Sequence, residues 1–286
     1  MAGQIYFVLT INVSQIQPRF RVFAFDTVPF ANGWPPVCTF APTMARKFVI
    51  GDIHGALKAL EDLLEKIAPT ADDQLIFLGD LADGWPETAA LIRYCIQLEQ
   101  QFNTVFIMGN HDSWCEGWLQ GSHAADMWLA HGGKASMESY ASIGPEERIA
   151  HLHFLQRMLP YFVDQQNRLY IHAGFTSRNG PAAESYPTNF YWDRSLWEMA
   201  VCLDPTIPKD SPFYPKRLTH FTEIYVGHTP TLNYKSSLPM RGGNVWNVDT
   251  GAAFNGPLTA MEVSSKTIYQ SRPVPDYYPG IQGRTK

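Results

Sequence analysis

This 286-residue chain lacks several things, and each absence narrows what it is. No stretch is long and apolar enough to span a membrane. The short apolar run at 5–13 has neither the cationic start nor the small-residue cleavage site of a secretory signal. Only 4 cysteines occur, Cys38, Cys95, Cys115 and Cys202, with no Cys-x-x-Cys pair, which points to reduced thiols in a cytoplasmic protein. There is no long basic run, and the net charge of −5 argues against a nucleic-acid-binding surface. Repeats and low-complexity tracts are also missing. The remaining composition, 45% hydrophobic and 17% charged, is that of a soluble chain with a core.

What is present is a series of five short segments that carry metal-binding side chains. They are Gly-Asp-Ile-His-Gly at 51–55, Gly-Asp-Leu-Ala-Asp-Gly at 79–84, Gly-Asn-His-Asp at 109–112, Ile-His-Ala-Gly at 171–174 and Gly-His-Thr at 227–229. Together they offer Asp52, His54, Asp80, Asn110, His172 and His228. Because the five must meet in space, one domain is expected across them. Mixed oxygen and nitrogen donors suit two divalent ions, Mn²⁺ first, with Fe or Zn²⁺ as alternatives, better than Ca²⁺. The two carboxylate oxygens of Asp80 suit a bridge between paired ions, the arrangement used to hydrolyse phosphate esters. An acidic chain binds phosphate if bound cations reverse the local sign.

Strand and helix patterns place these residues. Phe48–Ile50, Leu75–Leu78 and Val105–Met108 read as buried strands, and Ala56–Ile67 and Glu87–Gln101 as the helices between them. This βαβαβ rhythm predicts parallel strands with ligands at their carboxyl ends. Later strands at Arg168–Ile171, Glu223–Val226, Asn244–Val248 and Leu258–Val263 mostly lack intervening helices, so a second, more antiparallel sheet is expected. Residues 113–162 read as helices forming a cap beside the metals, with Ile149, Leu152, Leu155, Met158 and Leu159 as one apolar stripe. Residues 1–43 read as an extension, either not native or poorly packed, with Met44 as the biological start. The domain is expected over 44–270, followed by a loose Pro- and Gly-rich tail at 271–286.

Each segment also begins a reading of roles. Gly51, Gly79, Gly109 and Gly227 precede ligands and read as positive-φ turns off strand ends. His111 reads as the general acid that protonates the leaving alkoxide, with Asp83 orienting its ring; the plainer reading of His111 is a supporting residue. The nucleophile is expected to be a water or hydroxide between the metals. Arg194 suits bidentate binding of a phosphate, or an ordinary surface ion pair. His123, His131, His151, His153 and His220 read as surface or capping residues, and Cys115 as a partly buried thiol.

The five segments resemble the calcineurin-like metallophosphoesterase superfamily, and more closely the bacterial and phage-type serine/threonine phosphoprotein phosphatases. The resemblance extends to His131-Gly132-Gly133, Ser139-Tyr140, His153-Phe154-Leu155, Leu159-Pro160, Tyr191-Trp192-Asp193-Arg194 and Val248-Asp249-Thr250-Gly251-Ala252. It implies an α/β fold, a four-layer sandwich of two mixed sheets flanked by helices with a helical cap segment. It also implies one ion held by Asp52, His54 and Asp80, a second by Asp80, Asn110, His172 and His228, and an acid pair of His111 and Asp83. Gly84 and Met108 stand where such phosphatases usually carry phosphate-binding arginines, leaving Arg194 as the matched one and Arg178 or Arg241 as replacements. The expected activity is a phosphomonoesterase acting on a phosphorylated protein or small phosphoester. The alternative is a nucleotide or dinucleoside polyphosphate hydrolase of the symmetrical tetraphosphatase kind. A non-catalytic scaffold ranks last, because every ligand and the acid are present.

Overall fold

Short apolar strands joined by amphipathic helices build the first sheet as the sequence rhythm requires. The computed structural model describes residues 45–284, so the readings of 1–43 and of Met44 lie outside the described residues. In chain order the strands are β1 (Lys47–Ile50), β2 (Gln74–Phe77), β3 (Asn103–Phe106), β4 (Tyr161–Val163), β5 (Arg168–Ile171), β6 (Glu223–Val226), β7 (Met240–Gly242), β8 (Val245–Asn247), β9 (Pro257–Glu262) and β10 (Ile268–Pro273). The first sheet runs β10-β9-β1-β2-β3, and the second β4-β5-β6-β8-β7. β1, β2 and β3 are parallel, crossed over by α1 (Leu57–Ile67) and α2 (Thr88–Leu98), while β9 lies antiparallel against β1. The second sheet is mixed: β5, β6 and β8 are parallel, with antiparallel β4 and β7 on its edges.

Alternation along the strands makes four layers. Phe48 and Ile50 of β1, with Leu75 and Phe77 of β2, face the helices α1 and α2. Between them, Val49 and Ile76 point the other way and meet Tyr170 of β5 and Tyr225 of β6 from the second sheet. Leu169, Ile171, Ile224 and Val226 face outward again, onto the helix Ser195–Val201. Strands covered on both faces need apolar residues at every position, which is why they read as continuous runs rather than as alternating ones.

Several readings are corrected. β4, β7 and β10 were not evident, being short or polar edge strands. The segment after Gln270 is not loose: β10 runs to Pro273, Val274 is fully buried, and Tyr278 stacks on Trp85 with ring centroids 5.2 Å apart. Helix Pro145–Gln156 buries His151, Phe154 and Leu155, whereas Ile149 is 53% exposed, so the expected stripe is misplaced around the helix. His151 is accordingly a core residue, its Nδ1 hydrogen-bonded to the Tyr140 hydroxyl at 2.9 Å. No described helix is long and apolar enough to cross a membrane.

The entry to β1 carries a testable electrostatic clasp. Asp73, buried, accepts the Arg46 backbone N–H at 2.9 Å, the Arg46 guanidinium at 2.6 Å and the Thr70 backbone N–H at 2.8 Å. Burial opposes its charge, but the hydrogen bonds from Arg46 and Thr70 prevail and hold its pKa at about 2. A carboxylate with a depressed folded pKa contributes stability above its unfolded pKa, and the contribution is lost as the pH falls through the folded one. Asp73→Asn is expected to cost about 2 kcal/mol at pH 7, at about 1.4 kcal/mol per pKa unit, with the difference from wild type vanishing near pH 2. Urea denaturation across that range measures it, and a pH-independent difference would exclude the clasp.

Candidate metal centre

Four strand ends line one cavity of about 530 Å³ with His54, Asp80, Asn110, His111 and His228, and His172 at a fifth lies buried against Asn110 and His228. Asp52 and His54 follow β1, Asp80 follows β2, Asn110 and His111 follow β3 at the start of α3 (Asn110–Leu119), His172 follows β5 and His228 follows β6. None of these seven side chains belongs to a residue more than 8% exposed. His54, Asp80 and His111 form one close set, and Asp80, His172 and His228 a second, with donor atoms in each set within 4.8 Å of one another. Asp80 belongs to both and divides its oxygens: Oδ2 lies 3.5 Å from His54 Nε2, and Oδ1 lies 3.5 Å from His172 Nε2. Asn110 Oδ1 stands 3.2 Å from His172 Nε2 and 2.9 Å from His228 Nδ1. Asp52 is set back, with Oδ2 4.0 Å from His54 Nε2 and accepting the His228 backbone N–H at 3.0 Å. His111, expected as an acid, belongs to the close set with His54 and Asp80, and Asp52 does not.

The donor chemistry fits divalent cations. His172 Nδ1 donates to the Leu78 carbonyl at 2.8 Å, so its Nε2 presents a lone pair to the neighbouring site residues. That lone pair faces two acceptors, the Asn110 amide oxygen and the Asp80 carboxylate, with His228 Nδ1 the neighbouring nitrogen that could donate among them; a cation satisfies all of these lone pairs together. Burial lowers the His172 pKa to about 4 and pushes those of His54 and His228 well down, so imidazolium does not fill the role. Asp52 Oδ1 is buried without a hydrogen-bond partner. Burial, then the charges of Asp249 and Asp80, raises Asp52, and burial raises Asp80 and Asp249 to about 7. Among the described residues, no Lys or Arg ion-pairs with these three carboxylates. Buried charges need partners.

Two aspartates hold this arrangement in place. Asp83, fully buried, accepts His111 Nδ1–H and Trp128 Nε1–H on Oδ2, each at 2.7 Å, and the Ser136 hydroxyl on Oδ1 at 2.7 Å. The remaining His111 nitrogen, Nε2, is thus left for the cavity. Asp112, the last residue of the third segment, accepts the backbone N–H groups of Leu81, Ala82 and Gly109 at 2.8, 3.1 and 3.0 Å. It ties the Asp80–Asp83 loop to the start of α3. Sequence reasoning gave no part to Asp112, Trp128 or Ser136. Only the Asp112 carboxylate, within a recognised segment, offered a signal.

The glycines act differently from the expectation. Of the four, only Gly79 has a positive φ, at 101°. The left-handed conformation falls instead on site residues themselves: His54 (φ 55°), Asp80 (50°), Asp83 (73°) and His228 (66°). Strained backbone of this kind clusters at functional sites. Gly109 and Gly227 provide space: a Cβ at Gly109 would overlap the Asp80 carboxylate, and one at Gly227 the Asp52 carboxylate. Gly227→Ala is expected to displace Asp52 and lower both metal content and turnover, the latter about tenfold or more, with a stability cost of about 1–3 kcal/mol. Wild-type metal content in that variant would show that Asp52 is not confined this way.

Arg194 lines the cavity and ion-pairs with no described residue; the partner of neighbouring Asp193 is Arg217, at 3.5 Å. Neither Arg178 nor Arg241 reaches the cavity: the Arg241 guanidinium lies over the Trp246 ring at 5.3 Å. Trp114, Met127 and His131 from the helical segment form one wall, as a cap beside the strand ends. Cys115 is fully buried, and burial pushes its thiol pKa up, as an inert core thiol.

Two mixed sheets with helices outside, and buried imidazole, amide and carboxylate groups gathered at the strand ends, define a metallophosphoesterase. A model of the calcineurin-like phosphoesterases matches residues 45–235, more than half of the chain, and the chain belongs to that family of phosphoester hydrolases. It is 26% identical over 232 residues to a bis(5'-nucleosyl)-tetraphosphatase PrpE (asymmetrical) of Oceanobacillus iheyensis, covering 76% of this chain and 88% of that one. A protein of the same name from Geobacillus thermodenitrificans is 26% identical over 255 residues, with 80% and 97% covered. A solved serine/threonine phosphatase of Saccharomyces cerevisiae shares the fold at a TM-score of 0.56 and 14% identity, covering 86% of this chain and 85% of that one.

Proposed function

We propose that this enzyme hydrolyses dinucleoside polyphosphates by attack of water at one phosphate, with asymmetrical cleavage. The observation that carries the reaction is the divided carboxylate of Asp80, one oxygen toward each cluster. Asp52, His54 and Asp80 would hold one divalent ion, and Asp80, Asn110, His172 and His228 the other. Such a pair would supply an ionised attacking water and neutralise the phosphoryl oxygens. To give a proton from Nε2 to the departing oxygen as the P–O bond breaks, His111 must be doubly protonated; burial lowers its pKa, and the Asp83 carboxylate that accepts Nδ1–H is the group that favours the charged ring. Arg194 neutralises phosphate oxygens at the cavity edge.

Two observations favour the polyphosphate over a phosphorylated protein. The similar curated proteins carry that activity in their names across nearly their whole length, and name asymmetrical rather than symmetrical cleavage. A neighbouring groove of about 710 Å³, lined by Trp85, Phe254, Pro275 and Ile281, shares a wall with the metal cavity and has the apolar character that suits a nucleoside.

The test is a substrate panel on chelator-treated protein with Mn²⁺ restored: diadenosine tetraphosphate, an aryl phosphate, a bis-aryl diester and phosphopeptides. Diadenosine tetraphosphate is expected to show the highest kcat/KM and to yield one ATP and one AMP. Two ADP would contradict the cleavage position, a preference for phosphopeptides the substrate class, and no turnover on any substrate the whole reading.

A further inference from the structure

We propose that Arg284, brought back to the metal cavity by the C-terminal segment, binds a substrate phosphate; this rests on the phosphate-ester reading above. The segment is anchored before it arrives. Tyr278 stacks on Trp85, its hydroxyl bonds Glu87 and accepts the Lys58 backbone N–H at 3.2 Å, and Trp85 Nε1–H donates to the Ala252 carbonyl at 2.7 Å. Gly283 then lies so close to Trp85 that a Cβ would stand 2.6 Å from Cζ2. The Arg284 backbone N–H donates to the Ala253 carbonyl at 2.9 Å, which fixes where the side chain starts.

From there the side chain runs between Gly84 and Gly132. Both have positive φ, 100° and 107°, and a Cβ on either would stand 3.2 Å from Arg284 Cγ. The two glycines, one after Asp83 and one in the helical cap, are joined by a Gly84 N–H to Gly132 carbonyl bond of 3.2 Å. Together they form a slot for one long side chain. The guanidinium carbon lies 5.5 Å from the Phe254 ring centroid, and Arg284 lines both the metal cavity and the adjoining groove. Its Nε is buried with no hydrogen-bond partner, and among the described residues no carboxylate ion-pairs with it.

A half-buried guanidinium lining a metal cavity, its Nε without a partner, calls for an anion that offers two oxygens to its planar fork, as a phosphate does. Arg194 lines the same cavity, so two guanidinium groups border it. Position 84, where the resemblance implied an arginine, is then occupied in space by a residue 200 positions later in the chain.

The experiment is calorimetric titration of inorganic phosphate and pyrophosphate into Mn²⁺-loaded wild type, Arg284→Ala and Arg284→Lys, beside steady-state kinetics on diadenosine tetraphosphate. Arg284→Ala is expected to weaken phosphate binding about 10- to 100-fold, as losing a charge-assisted hydrogen bond does. Metal content and Tm should stay at wild-type values, the kinetic loss should fall mainly on KM, and Arg284→Lys should recover part of the affinity. Phosphate binding that depends on Arg284 in a protein that hydrolyses no ester would keep this inference and end the functional reading. Unchanged binding in an active Arg284→Ala enzyme, faster turnover in that variant, or a wild type that binds no phosphate would overturn the inference.

Discussion

Asp80→Asn is expected to leave at most one divalent ion per chain and to lower kcat/KM by about 10³-fold or more. The substitution keeps size and one oxygen, so the His111 backbone N–H, which donates to Oδ1 at 2.9 Å, can still be received. What it removes is a lone pair on the second atom, because an amide nitrogen donates and does not ligate. In wild type, Oδ2 faces His54 and Oδ1 faces His172. With either placement of the amide, one cluster loses its carboxylate. A thousandfold is about 4 kcal/mol of transition-state stabilisation, within the range that removal of one metal from a paired site supplies. Elemental analysis of the reconstituted variant measures the ions. Two ions with activity within tenfold of wild type would show that Asp80 is not shared.

His111→Ala is expected to cost about 10²- to 10⁴-fold in kcat, in a manner that depends on the leaving group. A departing alkoxide needs a proton, which Nε2 can give only from the doubly protonated ring; a departing phosphate of a polyphosphate is stable without it. The loss should therefore be largest on a phosphoserine peptide or alkyl phosphate and smallest on diadenosine tetraphosphate. Both metal ions should remain. This second readout matters because His111 packs with His54 and Asp80 closely enough to be a ligand. Asp83→Asn should reproduce part of the loss, about 10²-fold, since its amide would set a donor opposite the His111 Nδ1–H and reverse the ring's proton. A uniform loss across leaving groups, accompanied by loss of an ion, would make His111 a ligand and not an acid.

Much of this centre is legible in the chain because its parts lie just after strands. A buried apolar strand followed by a polar residue, beside glycine in every case but His172, locates Asp52, Asp80, Asn110, His172 and His228 at sheet ends without any tertiary knowledge. The second tier is not legible in the same way. Trp128 and Ser136 reach Asp83 from the helical cap, and no local pattern records that a given tryptophan's N–H is spent on a carboxylate 45 positions earlier. Asp249 sits in a quoted motif, yet only the packing of β8 beside β6 sets its charge against Asp52. The tail misled because proline and glycine usually mark loose ends. Here they shape a tight path that returns Tyr278 and Arg284 to the core. The glycine reading failed for a related reason: φ is a property of one residue, whereas the space that Gly109 and Gly227 leave is defined by carboxylates from other strands.

The most direct test is the number of ions that the chain holds. Protein stripped with a chelator, reloaded with Mn²⁺ and desalted is expected to retain two ions per polypeptide by elemental analysis, with wild-type turnover returning as the second ion binds. Saturation at one ion or none, in a protein that nonetheless cleaves phosphate esters at its full rate, would contradict a paired metal centre at these strand ends.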